Sequence, residues 1–105
     1  MSIDNLIYIF IFGEVQGVET KILVDTGASR SAILEQFFER IKHTLTKIQP
    51  IAPDDPTHLI SAAGNELTVV DITQLNIHLN GCLITYKFLI LRALQHKCVF
   101  GCDLL

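Results

Sequence analysis

Asn80-Gly81 stands between two runs in which apolar and polar residues alternate. Leu75, Ile77 and Leu79 oppose Gln74, Asn76 and His78 before it; Ile84, Tyr86, Phe88 and Ile90 oppose Thr85 and Lys87 after it. A two-residue type I′ turn needs positive φ at both central positions, and Asn-Gly meets that need at little steric cost. The pattern predicts a β-hairpin with one apolar face.

Five further segments read as strands. Residues 5–12 and 18–24 are aliphatic and β-branched, and Gly13-Glu14-Val15-Gln16-Gly17 between them carries glycine at both ends, which predicts a five-residue hairpin connection. His58 to Ala62 and Glu66 to Val70 flank Ala63-Gly64-Asn65 and predict another hairpin with a tip of small residues. A last apolar strand, Cys98 to Phe100, ends at Gly101, and Cys102-Asp103-Leu104-Leu105 reads as the opening of a helix. From Ala32 to Lys42 the period changes: Ile33, Phe37 and Ile41 recur every four residues, with Leu34 and Phe38 beside them and charged residues opposite. That spacing predicts a short amphipathic helix capped by Ser31. Pro50, Pro53 and Pro56, with Asp54 and Asp55, mark an exposed connection.

With 105 residues, the chain has material for one domain, read as residues 1–105, and half of those residues are apolar while 18% are charged, as in a folded globular protein. A surplus of apolar side chains in so small a domain points to a buried partner interface. The formal charge of −3 is mild and scattered, which argues against nucleic acid or an anionic membrane surface as partner. Three cysteines, Cys82, Cys98 and Cys102, lack CxxC spacing, so they are read as buried free thiols rather than as a disulfide framework or zinc site. His43, His58, His78 and His96 have no metal-ligand spacing either, and no metal is expected. The run Leu6 to Phe12 is too short to span a bilayer and has no basic flank, so the expected location is the cytoplasm or the interior of a virus-like particle.

The segment Ile22-Leu23-Val24-Asp25-Thr26-Gly27-Ala28-Ser29 sets a carboxylate directly after an apolar strand, in a turn of small residues. There, Asp25 would sit at the floor of a groove, and Gly27 would let a peptide backbone approach without a Cβ in the way. Taken alone, the triplet is also what an ordinary turn would contain. Its setting is more specific. An N-terminal hairpin, the apolar-apolar-Asp-Thr-Gly-Ala-Ser motif, a mid-chain hairpin with Gly64 at its tip, and Val99-Phe100-Gly101 followed by Cys102-Asp103-Leu104-Leu105 together resemble the retropepsins. These are the aspartic peptidases of retroviruses and long-terminal-repeat retrotransposons, with a related domain in DNA-damage-inducible ubiquitin-shuttle proteins.

The resemblance implies an all-β fold, a closed acid-protease β-barrel half with one short helix, working as a two-fold homodimer. Each subunit would supply one Asp25, and two facing carboxylates would share a proton: one activates a water, and the other polarises the scissile carbonyl of a polypeptide substrate. No cofactor is implied. Thr26 would bond across the dimer axis, while Gly27, Ala28 and Ser29 would bind the substrate backbone as an added strand. The hairpin carrying Ser61, Ala62, Ala63, Gly64 and Asn65 would be a flap over substrate, and Leu23 and Val99 would line a pocket. The late glycine would allow the last strand to cross tightly beside the catalytic loop.

The chain also departs from the pattern. Many retroviral members carry an acid at the position of Ser29 and an arginine at that of Cys102, which pair to steady the dimer; here both are absent together, leaving no orphaned charge. Retroviral members continue beyond the position of Leu105 into a helix and a terminal strand, so the chain is read either as excised from a longer polyprotein or as dimerising through other surfaces. Asp71 and Asp103 are read as a strand-surface and a helix-start carboxylate. The expected activity is an endopeptidase cutting extended segments with apolar residues around the scissile bond, of a retroelement polyprotein. Alternative readings are a domesticated, non-catalytic assembly module of the same fold, the protease domain of a ubiquitin-shuttle-type protein, and an accidental triplet in an unrelated β domain.

Overall fold

The structure, a computed structural model, describes residues 9–45, 58–60 and 66–104. Strands β1 (Ile9–Val15) and β2 (Val18–Val24) form the first hairpin, paired from Ile9↔Val24 to Val15↔Val18. Its turn is only two residues long, Gln16 at φ 52° and Gly17 at φ 81°, so the five-residue connection expected from Gly13 is corrected. Gly13 lies inside β1 and answers a different need. A Cβ there would run into the Leu79 side chain and lie 2.9 Å from the His78 carbonyl oxygen, so its absence lets β1 close against β5 (Glu66–Leu79).

That closure makes the barrel. With β3 (Ala32–Leu34), β6 (Cys82–Leu91) and β7 (Cys98–Phe100), the order runs β1-β2-β7-β3-β6-β5, and β5 returns to β1 through Glu14↔His78 and Val15↔Ile77. Gln16 completes the seam: its N–H donates to the Asn76 carbonyl at 2.9 Å and its Oε1 accepts the Asn76 N–H at 2.6 Å. Six strands thus form a closed barrel, and β4 (His58–Ile60) adds to β5 with His58 opposite Thr68 and Ile60 opposite Glu66. This is the predicted mid-chain hairpin, whose tip, residues 61–65, falls outside the described residues. Asn80 at φ 47° and Gly81 at φ 79° form the tight turn their sequence predicts, joining Leu79 to Cys82.

Two expectations are corrected in the interior. The predicted helix begins three residues late: α1 spans Glu35–Ile41, and Ala32–Leu34 instead fills the slot between β6, to which it is parallel, and β7, to which it is antiparallel. Ladder bonds on both sides outweigh the helical period there, and β-branched Ile33 is fully buried between them. Ser31 is therefore no cap; Leu34 holds that position without a side-chain bond. Phe37, Phe38 and Ile41 are the buried face of α1, as their spacing predicts. The apolar segments 66–70 and 75–79 belong to one 14-residue strand, bent by a bulge between Val69 and Asp71, where the Asp71 carboxylate accepts the Ile72 N–H at 2.8 Å.

The core occupies both faces of β6. Phe88 and Ile90 point into the barrel with Ile22, Ile33, Leu75, Ile77 and Phe100, while Leu89 and Leu91 pack outside it with Ala32, Val69 and Ile72. The strand alternates near the Asn80-Gly81 turn and becomes continuously buried from Phe88 to Leu91 for that reason.

Candidate active site

Strand β2 delivers Asp25 to the edge of the barrel. Its ladder with β7 is parallel, Ile22↔Cys98, Leu23↔Val99 and Val24↔Phe100, and it ends when the Asp25 N–H donates to the Phe100 carbonyl at 2.9 Å. Beyond this bond the backbone turns away. The Ala28 N–H returns to the Asp25 carbonyl at 3.1 Å, and the Gly27 N–H donates to Asp25 Oδ1 at 2.9 Å. The Asp25 carboxylate is half-buried, and among the described residues no cation pairs with it. A carboxylate anchored on one oxygen by a backbone donor, with no described residue bonded to the other, is oriented yet available for proton transfer.

The sequence-predicted site residues fall into three groups. Asp25, Thr26, Gly27, Ala28 and Ser29 come together in this loop, with Thr26, Gly27 and Ser29 exposed. Leu23 and Val99 sit directly opposite one another across β2 and β7, each 5% exposed. In the single chain they are core positions immediately below the loop. Ser61, Ala62, Ala63, Gly64 and Asn65 lie outside the described residues.

Of the groups that hold the loop from behind, sequence reading found Gly101 and missed the rest. Gly101 follows β7 where the chain passes the loop; a Cβ on it would stand 2.6 Å from both the carbonyl carbon and oxygen of Arg30 and 2.9 Å from the Ala28 oxygen. The tight crossing expected of this glycine is therefore present. The Cys102 N–H donates to the Ala28 carbonyl at 2.8 Å, and its thiol donates to the Thr26 carbonyl at the same distance. Cys102 is thus exposed and engaged, as Cys82 is exposed, which corrects the reading of all three cysteines as buried. Only Cys98 is, and burial pushes its thiol up to about 12.

Ser31 and Asp103, read as a helix cap and a helix-start carboxylate, bind each other across the fold. Ser31 donates its N–H to Asp103 Oδ2 at 3.1 Å and its hydroxyl to Oδ1 at 2.8 Å, while the same hydroxyl accepts the Gly101 N–H at 3.0 Å. Arg30 Nε approaches Asp103 Oδ2 at 3.4 Å. The segment Cys102–Leu104 is a turn closed by the Leu104 N–H on the Gly101 carbonyl at 3.1 Å, not the start of a helix. Tyr86 donates its hydroxyl to the Asp103 carbonyl at 2.9 Å, and burial first, then the Asp103 charge, raises its phenol above the ordinary value of 10.0. Where positions 29 and 102 lack an acid and a base, the next residue of each segment is charged, and Arg30 on the loop pairs with Asp103 on the turn within the same chain. Asp103 following an apolar-apolar-Gly run was the available clue; nothing local to Ser31 pointed to a partner more than seventy residues away.

Two surface concavities lie elsewhere. One of about 290 Å³ is lined by Phe12, Glu14, Glu19, His78 and Asn80, and one of about 360 Å³ by Leu34, Phe37, Arg40 and Lys97. Asp25 borders neither of these two. Among the described residues, no three His, Cys, Asp or Glu side chains gather to hold a metal ion.

By sequence, the chain matches no family model and no curated protein. By structure it is similar to EIAV protease complexed with the inhibitor HBY-793, at TM-score 0.68 and 16% identity over 98% of this chain and 89% of that one. The retroviral protease-like domain of Ddi1 from Leishmania major matches at TM-score 0.68 and 16% identity, over 94% of this chain and 75% of the other. A retropepsin-like aspartic protease from Rickettsia conorii matches at 0.61 and 20%, over 93% and 69%. The fold is that of the retropepsin-like aspartic proteases: mostly β, a closed six-stranded barrel and one short helix.

Proposed function

We propose that the chain is an aspartic endopeptidase that works as a homodimer, each copy contributing Asp25. The observation that carries this reading is the placement of a lone, backbone-oriented carboxylate at the open edge of a retropepsin-like barrel. One such group cannot act as both acid and base on an amide. Two of them, brought together on a two-fold axis, hold a single proton between them, because both cannot ionise at about 3 Å separation. The ionised member then takes a proton from a water, which attacks the scissile carbonyl; the protonated member polarises that carbonyl, and a proton passes to the leaving amine. Thr26 braces the paired loops, and Gly27, Ala28 and Ser29 hold the substrate main chain in extended form. Leu23 and Val99 form the floor beneath apolar substrate side chains.

The substrate class is an unfolded or extended polypeptide with apolar residues around the cut, such as a polyprotein carrying this domain, acted on in the cytoplasm or inside a virus-like particle. The test compares peptide cleavage by the wild-type chain and Asp25→Asn over a range of chain concentrations. Loss of about a thousandfold or more in the variant is expected, together with wild-type specific activity that falls on dilution as the dimer separates. Equal cleavage by the variant, or full activity in a monomer that does not respond to dilution, defeats the proposal.

A further inference from the structure

We infer that Asp103 is a positioning residue for the Asp25 loop, its carboxylate fixing the point at which the loop re-enters the sheet; the inference rests on the protease reading above for its kinetic consequence. The loop enters from β2 and is held there by the ladder to β7 and the Asp25 N–H bond to Phe100. It leaves through Arg30 and Ser31 into β3, and at that end the Asp103 carboxylate takes the Ser31 N–H, the Ser31 hydroxyl and the Arg30 Nε. Within the loop, the described bonds are only Gly27 and Ala28 back to Asp25. A segment with so little internal bonding takes its shape from the bonds made to it, which are the entry from β2, the Cys102 N–H and thiol at Ala28 and Thr26, and Asp103 at the exit, so the orientation of the Asp25 carboxylate depends on the exit as well as on the entry.

The contacts at Asp103 call for two acceptor oxygens. Donors converge on both of its oxygens, two from Ser31 and one from Arg30. An amide of the same shape offers one acceptor and turns its NH₂ toward the remaining donors. Its carboxylate is 15% exposed, so water replaces the lost acceptor only in part. The turn that carries Asp103 has independent ties through its backbone, Tyr86 to the Asp103 carbonyl and the Cys102 N–H to Ala28. Removing the side-chain charge therefore releases Ser31 while leaving the turn seated and the barrel closed.

The experiment is amide hydrogen exchange, read residue by residue, on the full chain and on Asp103→Asn, with cleavage kinetics alongside. Exchange of the Gly27 and Ala28 amides is expected to rise tenfold or more in the variant, while amides of the β5–β6 ladder such as Ile77 and Ile84 keep their wild-type rates. In the kinetics, kcat is expected to fall by ten- to a hundredfold with KM within about twofold, since misplacement of the reacting group and not loss of substrate contacts is the cause. Should Asp103→Asn fail to fold, Ser31→Ala, which keeps the carboxylate and removes the hydroxyl that donates to it and accepts the Gly101 N–H, is read the same way. Unchanged exchange at Gly27 and Ala28 overturns the inference, as does a uniform rise through β5 and β6, a loss confined to KM, or failure of both variants to fold. If the wild-type chain cleaves no peptide, the protease reading fails, and the exchange pattern still decides whether Asp103 holds the loop.

Discussion

At Gln16-Gly17 and Asn80-Gly81 the chain reverses within two residues, both at positive φ, and neither glycine has a neighbour within 4 Å of where a Cβ would stand. Between Asp25 and Ser31 it takes a longer path, and the bonds that fix it come from Phe100, Gly101, Cys102 and Asp103. The first kind of turn is stabilised by what two adjacent residues prefer. The second is stabilised by polar groups on a distant segment, so it forms only when the barrel does. A loop of that sort can present an unpaired carboxylate and small exposed residues at its front, because its support lies behind it. A self-sufficient turn would spend the same side chains on its own bonds.

The contrast breaks or sharpens most strongly at the glycines. Gly101→Ala places a Cβ within 2.6 Å of the Arg30 backbone, which cannot swing aside as a side-chain end does, and is expected to lower stability by about 3 kcal/mol or more in urea unfolding. Stability indistinguishable from wild type would show that the loop is not wedged as described. Next comes the pair Cys98 and Cys82, one buried in β7 beneath the loop and one exposed after the Asn80-Gly81 turn. Below pH 9 the Cys98 proton is held in the folded and the unfolded chain alike. Between pH 9.0 and about 12 only the unfolded chain ionises it, so stability falls as pH rises, with a slope of at most about 1.4 kcal/mol per pH unit from this group. Tyr86 acts in the same direction from its ordinary value of 10.0 upward. Chemical denaturation of Cys98→Ala across that range is expected to give a shallower decline, and an identical slope in the variant refutes the assignment. The smallest effect is at the other kind of turn: Gly81→Ala meets no atom and strains only its φ of 79°, for a loss of about 1 kcal/mol by thermal unfolding. A loss there as large as at Gly101 would erase the distinction.

The parts of the fold legible in sequence are those built by neighbours in the chain. Asn80-Gly81 and its flanking alternation gave the β5–β6 hairpin with its register, and the Phe37, Phe38 and Ile41 spacing gave the buried face of α1. Asp25 was legible for a related reason, since an apolar strand that stops at Asp-Thr-Gly-Ala-Ser announces a loop at the end of a buried ladder. Gly13 misled because its lack of a side chain serves a strand crossing and not a turn. Ser31 misled because Ser before an apolar run is also what a helix cap looks like.

By itself, then, the order of residues determined where strands and turns form and which carboxylate stands at a strand end, because those outcomes depend on φ preferences and on side-chain period over a few positions. Tertiary structure alone decided that Ala32–Leu34 is a strand, that Gly13 seats β1 on β5, and that Asp103 holds Ser31 from 72 residues away. Each depends on which backbone arrives alongside, and a hydrogen-bond partner supplied by another strand leaves no periodic trace in the segment that receives it.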